Sequence, residues 1–104
     1  IMKIDENIQY LASTDEAFAK TQAEVSYGDD ILKHIKGAFV SASEDSVSKA
    51  TENFYASAVY KNHINKMHKL NIQLLNMKNK RRTAEMNIDI WRHIRSIKEE
   101  KQCL

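Results

Sequence analysis

Not one proline interrupts this chain of 104 residues, and glycine occurs only at Gly28 and Gly37. Proline removes a backbone donor and clashes with the preceding helical turn. Glycine weakens helices through its conformational freedom. A chain nearly free of both has few places to stop a helix. Lys, Glu, Ala, Asn and Ile are spread throughout, so the expected fold class is all-α. The length fits a single helical domain, residues 1–104. A domain this short buries only a modest fraction of its surface, and long helices in it need a second copy to cover their faces.

"ASTDEAF" carries the clearest start signal, because Ser13 with Glu16 three residues later makes a capping box. Asp15 and Glu16 suit the positive end of a helix dipole. Leu11, Phe18, Val25, Leu32 and Phe39 then recur every seven residues, the mark of a left-handed packing seam. The intervening seam positions are small or polar at Thr21, Gly28 and Ala42, which predicts close approach of another helix backbone. A helix is expected over 14–41, with a short amphipathic turn or helix over 4–12 before it. "SASEDS" is the one convincing connection, a linker over 41–46 whose Ser, Glu and Asp side chains compete for backbone hydrogen bonds. A short polar link of this kind favours an antiparallel hairpin.

Beyond the linker nothing stops a helix, and one is expected from 46 to 100. Its seam reads His63, Met67, Leu70, Leu74, Met77, Arg81, Ala84, Ile88, Trp91, with spacings alternating between four and three. Such a helix would extend about 80 Å against about 40 Å for its predecessor. The architecture expected is a helical hairpin with one long C-terminal helix, assembling as a dimeric helical bundle. The alternative is a compact three-helix bundle, with a break over 78–83. The expected interface follows the seams: Phe18, Val25, Leu32, Phe39, Met67, Leu74, Ile88 and Trp91.

The formal charge of +2 conceals an asymmetry. Residues 1–46 hold four lysines against nine carboxylates, a net of −5, and residues 47–104 hold twelve Lys and Arg against five carboxylates, a net of +7. Within "KNKRRT" the basic side chains Lys78, Lys80, Arg81 and Arg82 crowd together, and Arg92 and Arg95 follow. These six could neutralise phosphates along a nucleic-acid backbone without reading bases. Arg81, however, falls on the apolar seam, where an arginine usually lays its stem on hydrophobic neighbours and pairs with a carboxylate. Asp15, Glu16, Glu24, Asp29 and Asp30 are the acidic candidates. Pairing between helices is therefore favoured over nucleic-acid binding, which stays the alternative function.

No catalytic constellation can be assembled. His34, His63, His68 and His93 lack the i, i+4 spacing of a helical metal site. Glu85 and Asp89 share a face but are surrounded by arginines. No enzyme activity, metal or cofactor is expected. The single cysteine, Cys103, allows no intrachain disulfide, and "KQCL" is not a prenylation box, which needs its cysteine one place earlier. No leader is expected from "IMKIDENIQY", no apolar run approaches a membrane span, and the expected location is cytoplasmic.

The run "RRTAEMNIDIWR", Arg81 to Arg92, resembles small helical proteins encoded by bacteriophages and prophages, which also close a long helix with Ala-Glu, an aliphatic pair and Trp-Arg. The pattern extends over residues 54–95, and the tail "HIRSIKEEKQCL" departs from it through its acidic pair. The resemblance implies a small phage-type accessory protein and carries no site. The function expected is a noncatalytic helical interaction and oligomerisation protein, forming a homodimer or higher homo-oligomer and meeting a protein partner of unknown identity.

Overall fold

A computed structural model describes residues 3–103, so the readings of the "IMKIDENIQY" and "KQCL" ends fall partly outside the described residues. The described residues are all-α: α1 (Ile4–Ser26), α2 (Gly28–Ser41), α3 (Val47–Tyr55) and α4 (Ala58–Cys103). A hairpin of helices with a long C-terminal helix is what the periodicity predicts. α4 runs unbroken through 78–83, so the break that a compact three-helix bundle requires is absent.

Three boundaries differ from expectation. The capping box at Ser13 does not start a helix, because α1 begins at Ile4 and passes straight through it. Ser13 and Thr14 instead turn their hydroxyls back to the Tyr10 carbonyl, at 3.2 and 2.7 Å. The start at Ile4 places Asn7, Leu11, Thr14 and Phe18 on one packed face of α1. The working start lies upstream, where the Lys3 N–H donates to Glu6 Oε2 at 3.3 Å and Asp5 and Glu6 occupy the first turn.

The expected single helix over 14–41 is divided at Tyr27, whose backbone sits at φ −87°, ψ −2°. The division is slight, since the N–H groups of Tyr27 and Ile31 still reach the carbonyls of Ala23 and Tyr27 at 3.0 Å. The helix expected from 46 is likewise divided, at Ala56 and Ser57. There the Ala56 N–H donates to the Glu52 carbonyl at 3.2 Å and the Ser57 N–H to the Phe54 carbonyl at 3.0 Å. Ser57 Oγ then accepts from the Tyr60 N–H at 3.3 Å, which starts α4. The linker after α2 matches its reading. Ser46 caps α3 by accepting from the Lys49 N–H at 3.3 Å, and Ser43 Oγ accepts from the Asp45 N–H at 3.1 Å.

The chain forms two compact units, Ile1–Ala19 with Leu75–Leu104, and Lys20–Leu74. The second unit has an aromatic centre. Phe54 is fully buried, with ring centroids 5.4 Å from Phe39, 5.5 Å from Tyr55 and 5.5 Å from Tyr60. Edge-to-face pairs of this kind add to the burial of the rings themselves. The turn at Ala56–Ser57 brings Tyr55 and Tyr60 to within 5.0 Å of each other beside Phe54. Ala50, also fully buried, lets α3 lie close to α2. Gly28 is buried against Met67, and a Cβ there would fall 2.7 Å from the Met67 Sδ. Gly28 is thus filled by the Met67 side chain and not by the helix backbone whose close approach the small seam residues predict.

In the first unit α1 and α4 run antiparallel: Asn7 meets Asn87, and Thr14 meets Arg81 further along α1 and earlier on α4. Ala84 and Ile88 are its buried apolar residues among those described. Replacing Phe54 by alanine should remove the second unit's centre and lower stability by about 3–5 kcal/mol. Urea unfolding followed by circular dichroism measures this, and a loss below about 1 kcal/mol would contradict the packing described.

Candidate interaction surfaces

α4 presents two faces. The inner face reads His63, Met67, Leu70, Leu74, Met77, Arg81, Ala84, Ile88, and every one of these residues is buried or half-buried, while the residues between them are exposed except Asn87. This is the seam read from the sequence. Its members are covered within the chain, Leu74 at 6% and Ile88 at 9% exposure. Of the expected interface residues, Phe18, Val25, Leu32, Phe39 and Met67 are also half-buried within their own units. With Leu74 and Ile88, these seven residues take part in packing within the chain. Trp91, expected on the packed stripe, is 40% exposed, with the Arg95 guanidinium 5.2 Å from its ring centroid.

Arg81 joins several groups of the first unit. Its Nη1 donates to the Leu11 carbonyl at 3.0 Å and to Thr14 Oγ1 at 2.6 Å, its Nη2 donates to Asp15 Oδ1, and its guanidinium lies 5.0 Å from the Phe18 ring centroid. Thr14 passes the chain on by donating to the Tyr10 carbonyl. The fork of donors suits such a convergence, which a lysine ammonium cannot reproduce. Of the six basic residues expected to meet phosphate, Arg81 has Nη1 and Nη2 engaged within the chain and a side chain that is 14% exposed. The sequence places Asp15 among the acidic candidates, but nothing in it singles out the Leu11 carbonyl or Thr14.

Lys78, Lys80, Arg82, Arg92 and Arg95 are exposed. They do not make one face: at about 100° per residue, Lys80 and Arg82 point roughly 200° apart around the helix. Arg95 Nε bonds Glu99 at 3.2 Å, and Arg92 stands 4.0 Å from Asp89. Exposed pairs of this kind contribute little to stability, but they reduce the cationic field that a polyanion would meet.

A further polar contact lies inside the first unit's seam. Asn7, 1% exposed, donates to the Lys3 carbonyl at 2.7 Å and accepts from Asn87 Nδ2 at 3.1 Å. Beside it a groove of 710 Å³ is lined by Asn7, Tyr10, Asn79, Lys80, Thr83, Ala84 and Asn87. Its lining has amide, hydroxyl and amine groups but no carboxylate or imidazole. Among the described residues no group of three His, Cys, Asp or Glu could hold a metal ion, and no helix is long and apolar enough to cross a membrane.

The outer face of α4 carries a second apolar stripe, which the sequence reading misses. Ile72, Leu75, Met86, Ile90 and Ile97 are 47, 58, 56, 54 and 39% exposed. Met86 lies about 140° around the helix from Arg81, so this face turns away from the inner seam. A partial signal is available in the sequence: Ile72 and Leu75 are three residues apart, and Met86, Ile90 and Ile97 follow at spacings of four and seven. The stronger inner repeat masks it. Compared with protein-family models, curated proteins and solved structures, the chain matches none.

Arg81→Ala should leave the Leu11 carbonyl and Asp15 without their donor and cost about 1–2 kcal/mol, since bonds to a charged donor are worth more than neutral ones. Arg81→Lys should recover less than half of that loss in the same urea titration. Full recovery by lysine would show that charge alone suffices and that the fork is unimportant.

Proposed function

We propose that this is a noncatalytic helix–helix interaction and oligomerisation protein, which uses the outer face of α4 as its contact surface. The observation that carries the reading is the row of exposed aliphatic side chains on α4, Ile72, Leu75, Met86, Ile90 and Ile97, each at least 39% accessible. Scattered exposed aliphatics need no explanation, whereas an aligned apolar stripe on a monomer marks a binding surface. The small interior points the same way. Among the described residues the buried hydrophobics are Ala50, Phe54, Leu74, Ala84 and Ile88, while fourteen large hydrophobics stay exposed. A chain with so small a core gains much from association. The resemblance of Arg81–Arg92 to phage-encoded proteins suggests an accessory role of this kind.

Nonspecific nucleic-acid binding is the runner-up, through Lys78, Lys80, Arg82, Arg92 and Arg95. It has less support, because Arg81 is engaged and the remaining cations are distributed around the helix. Light scattering of the full chain tests the reading. The expected mass is a multiple of the 12.0 kDa chain, unchanged by a short DNA duplex at physiological salt. A monomer at every concentration would overturn oligomerisation. A DNA-dependent mass that falls away steeply with salt would favour the runner-up.

A further inference from the structure

Resting on the oligomerisation reading, a more specific partner can be named. We infer that the outer face of α4 pairs with the same face of a second copy, antiparallel, about a two-fold axis passing between Lys80 and Arg81. The argument is the self-complementarity of the stripe. An isologous interface needs each residue to meet its counterpart across the axis, and the outer face of α4 brings like residues together at its centre and towards its ends. Leu75 lies as far before the axis as Met86 lies after it, so each faces the other in the second copy. Asn79 and Arg82 are related in the same way, as are His68 with His93 and Ile64 with Ile97. The strict counterparts of Ile72 and Ile90 are Asp89 and Asn71, and the two isoleucines approach each other one residue out of opposition, on the same flank of the stripe.

Apolar residues thus meet apolar residues, and polar residues meet polar ones. At the centre Arg82 faces Asn79, whose amide oxygen can accept from the guanidinium. Lys78 and Arg82 of the two copies also converge near the axis, where Glu85 of each lies within about a turn and offsets them. At both ends Lys61 lies opposite Glu100, a complementary pair. A parallel pairing would instead set Arg82 on Arg82 and Lys61 on Lys61, like on like. The helix from Lys61 to Glu100 measures about 60 Å, sufficient for a pair to bury the roughly 800 Å² per partner of a standard interface. Leu75, Met86 and Ile90 are more than half exposed, so they can enter this contact without repacking the inner face.

The test uses the full chain and two charge-bearing variants, Leu75→Glu and Met86→Lys, each alone and mixed in equal amounts. Light scattering gives the mass, native mass spectrometry gives the composition, and circular dichroism verifies helicity. Wild type should be dimeric. Each variant alone should be monomeric, with dimerisation weakened at least tenfold, because it buries an unpaired charge against an aliphatic. The mixture should form a dimer of one copy each, since the antiparallel register brings the introduced carboxylate of one variant face to face with the introduced ammonium of the other. The reversed pair, Leu75→Lys with Met86→Glu, should behave identically and covers the case in which one variant fails to fold. Variants that stay oligomeric would overturn this interface while leaving oligomerisation intact. Monomeric variants whose mixture does not pair would overturn the antiparallel register. A monomeric wild type would overturn both the interface and the oligomerisation reading.

Discussion

The inner stripe of α4 is the constraint on which the rest depends. From His63 to Ile88 the residues at alternating spacings of four and three are withdrawn from solvent, and each compact unit packs against its own portion of that row. In Lys20–Leu74 the row supplies Met67, whose thioether fills the space left by the missing side chain of Gly28. In the other unit it supplies Arg81, Ala84 and Ile88. Burial along a single row yields a small interior, so few contacts determine whether each unit holds together. The aromatic cluster around Phe54 and the hydrogen bonds of Arg81 are the two places where many contacts converge.

The polar groups on the seam have a different effect from the apolar ones. Asn7, Thr14 and Arg81 satisfy one another or nearby carbonyls, so they are tolerated inside. Shifting α1 by one turn along α4 would separate Asn7 from Asn87 and Arg81 from Thr14, leaving buried groups without partners. A buried polar contact of this type specifies register more than it adds stability. That specificity matters for helices whose apolar positions repeat every seven residues, since such repeats alone permit slippage by a heptad.

Once the inner row is covered by α1 and the shorter helices, the outer face of α4 is free for a different use. The two faces are superimposed in the linear sequence. Sorting them requires knowing which aliphatics the other helices cover. Leu74 and Leu75 are adjacent in sequence, yet one is 6% and the other 58% exposed. The expected interface residues include seven that pack within the chain and Trp91, which is 40% exposed.

The sequence by itself determined the all-α class, the polar linker, the inner row of α4 and the small residue at Gly28. Each of these is a local or periodic property: helix propensity without proline, capping by Ser46, and spacing at the helical repeat. Only the tertiary structure decided where helices end. Ser13 and Glu16 form a persuasive cap that packing overrides, whereas Ala56 and Ser57 end a helix with no glycine or proline to announce it. Those outcomes depend on what lies across from each residue, here α4 against Asn7 to Phe18 and Phe39 against Phe54. The partner of Arg81 was decided in the same way. Sequence limits which carboxylates could reach it, but the register of one helix on the other selects Leu11, Thr14 and Asp15.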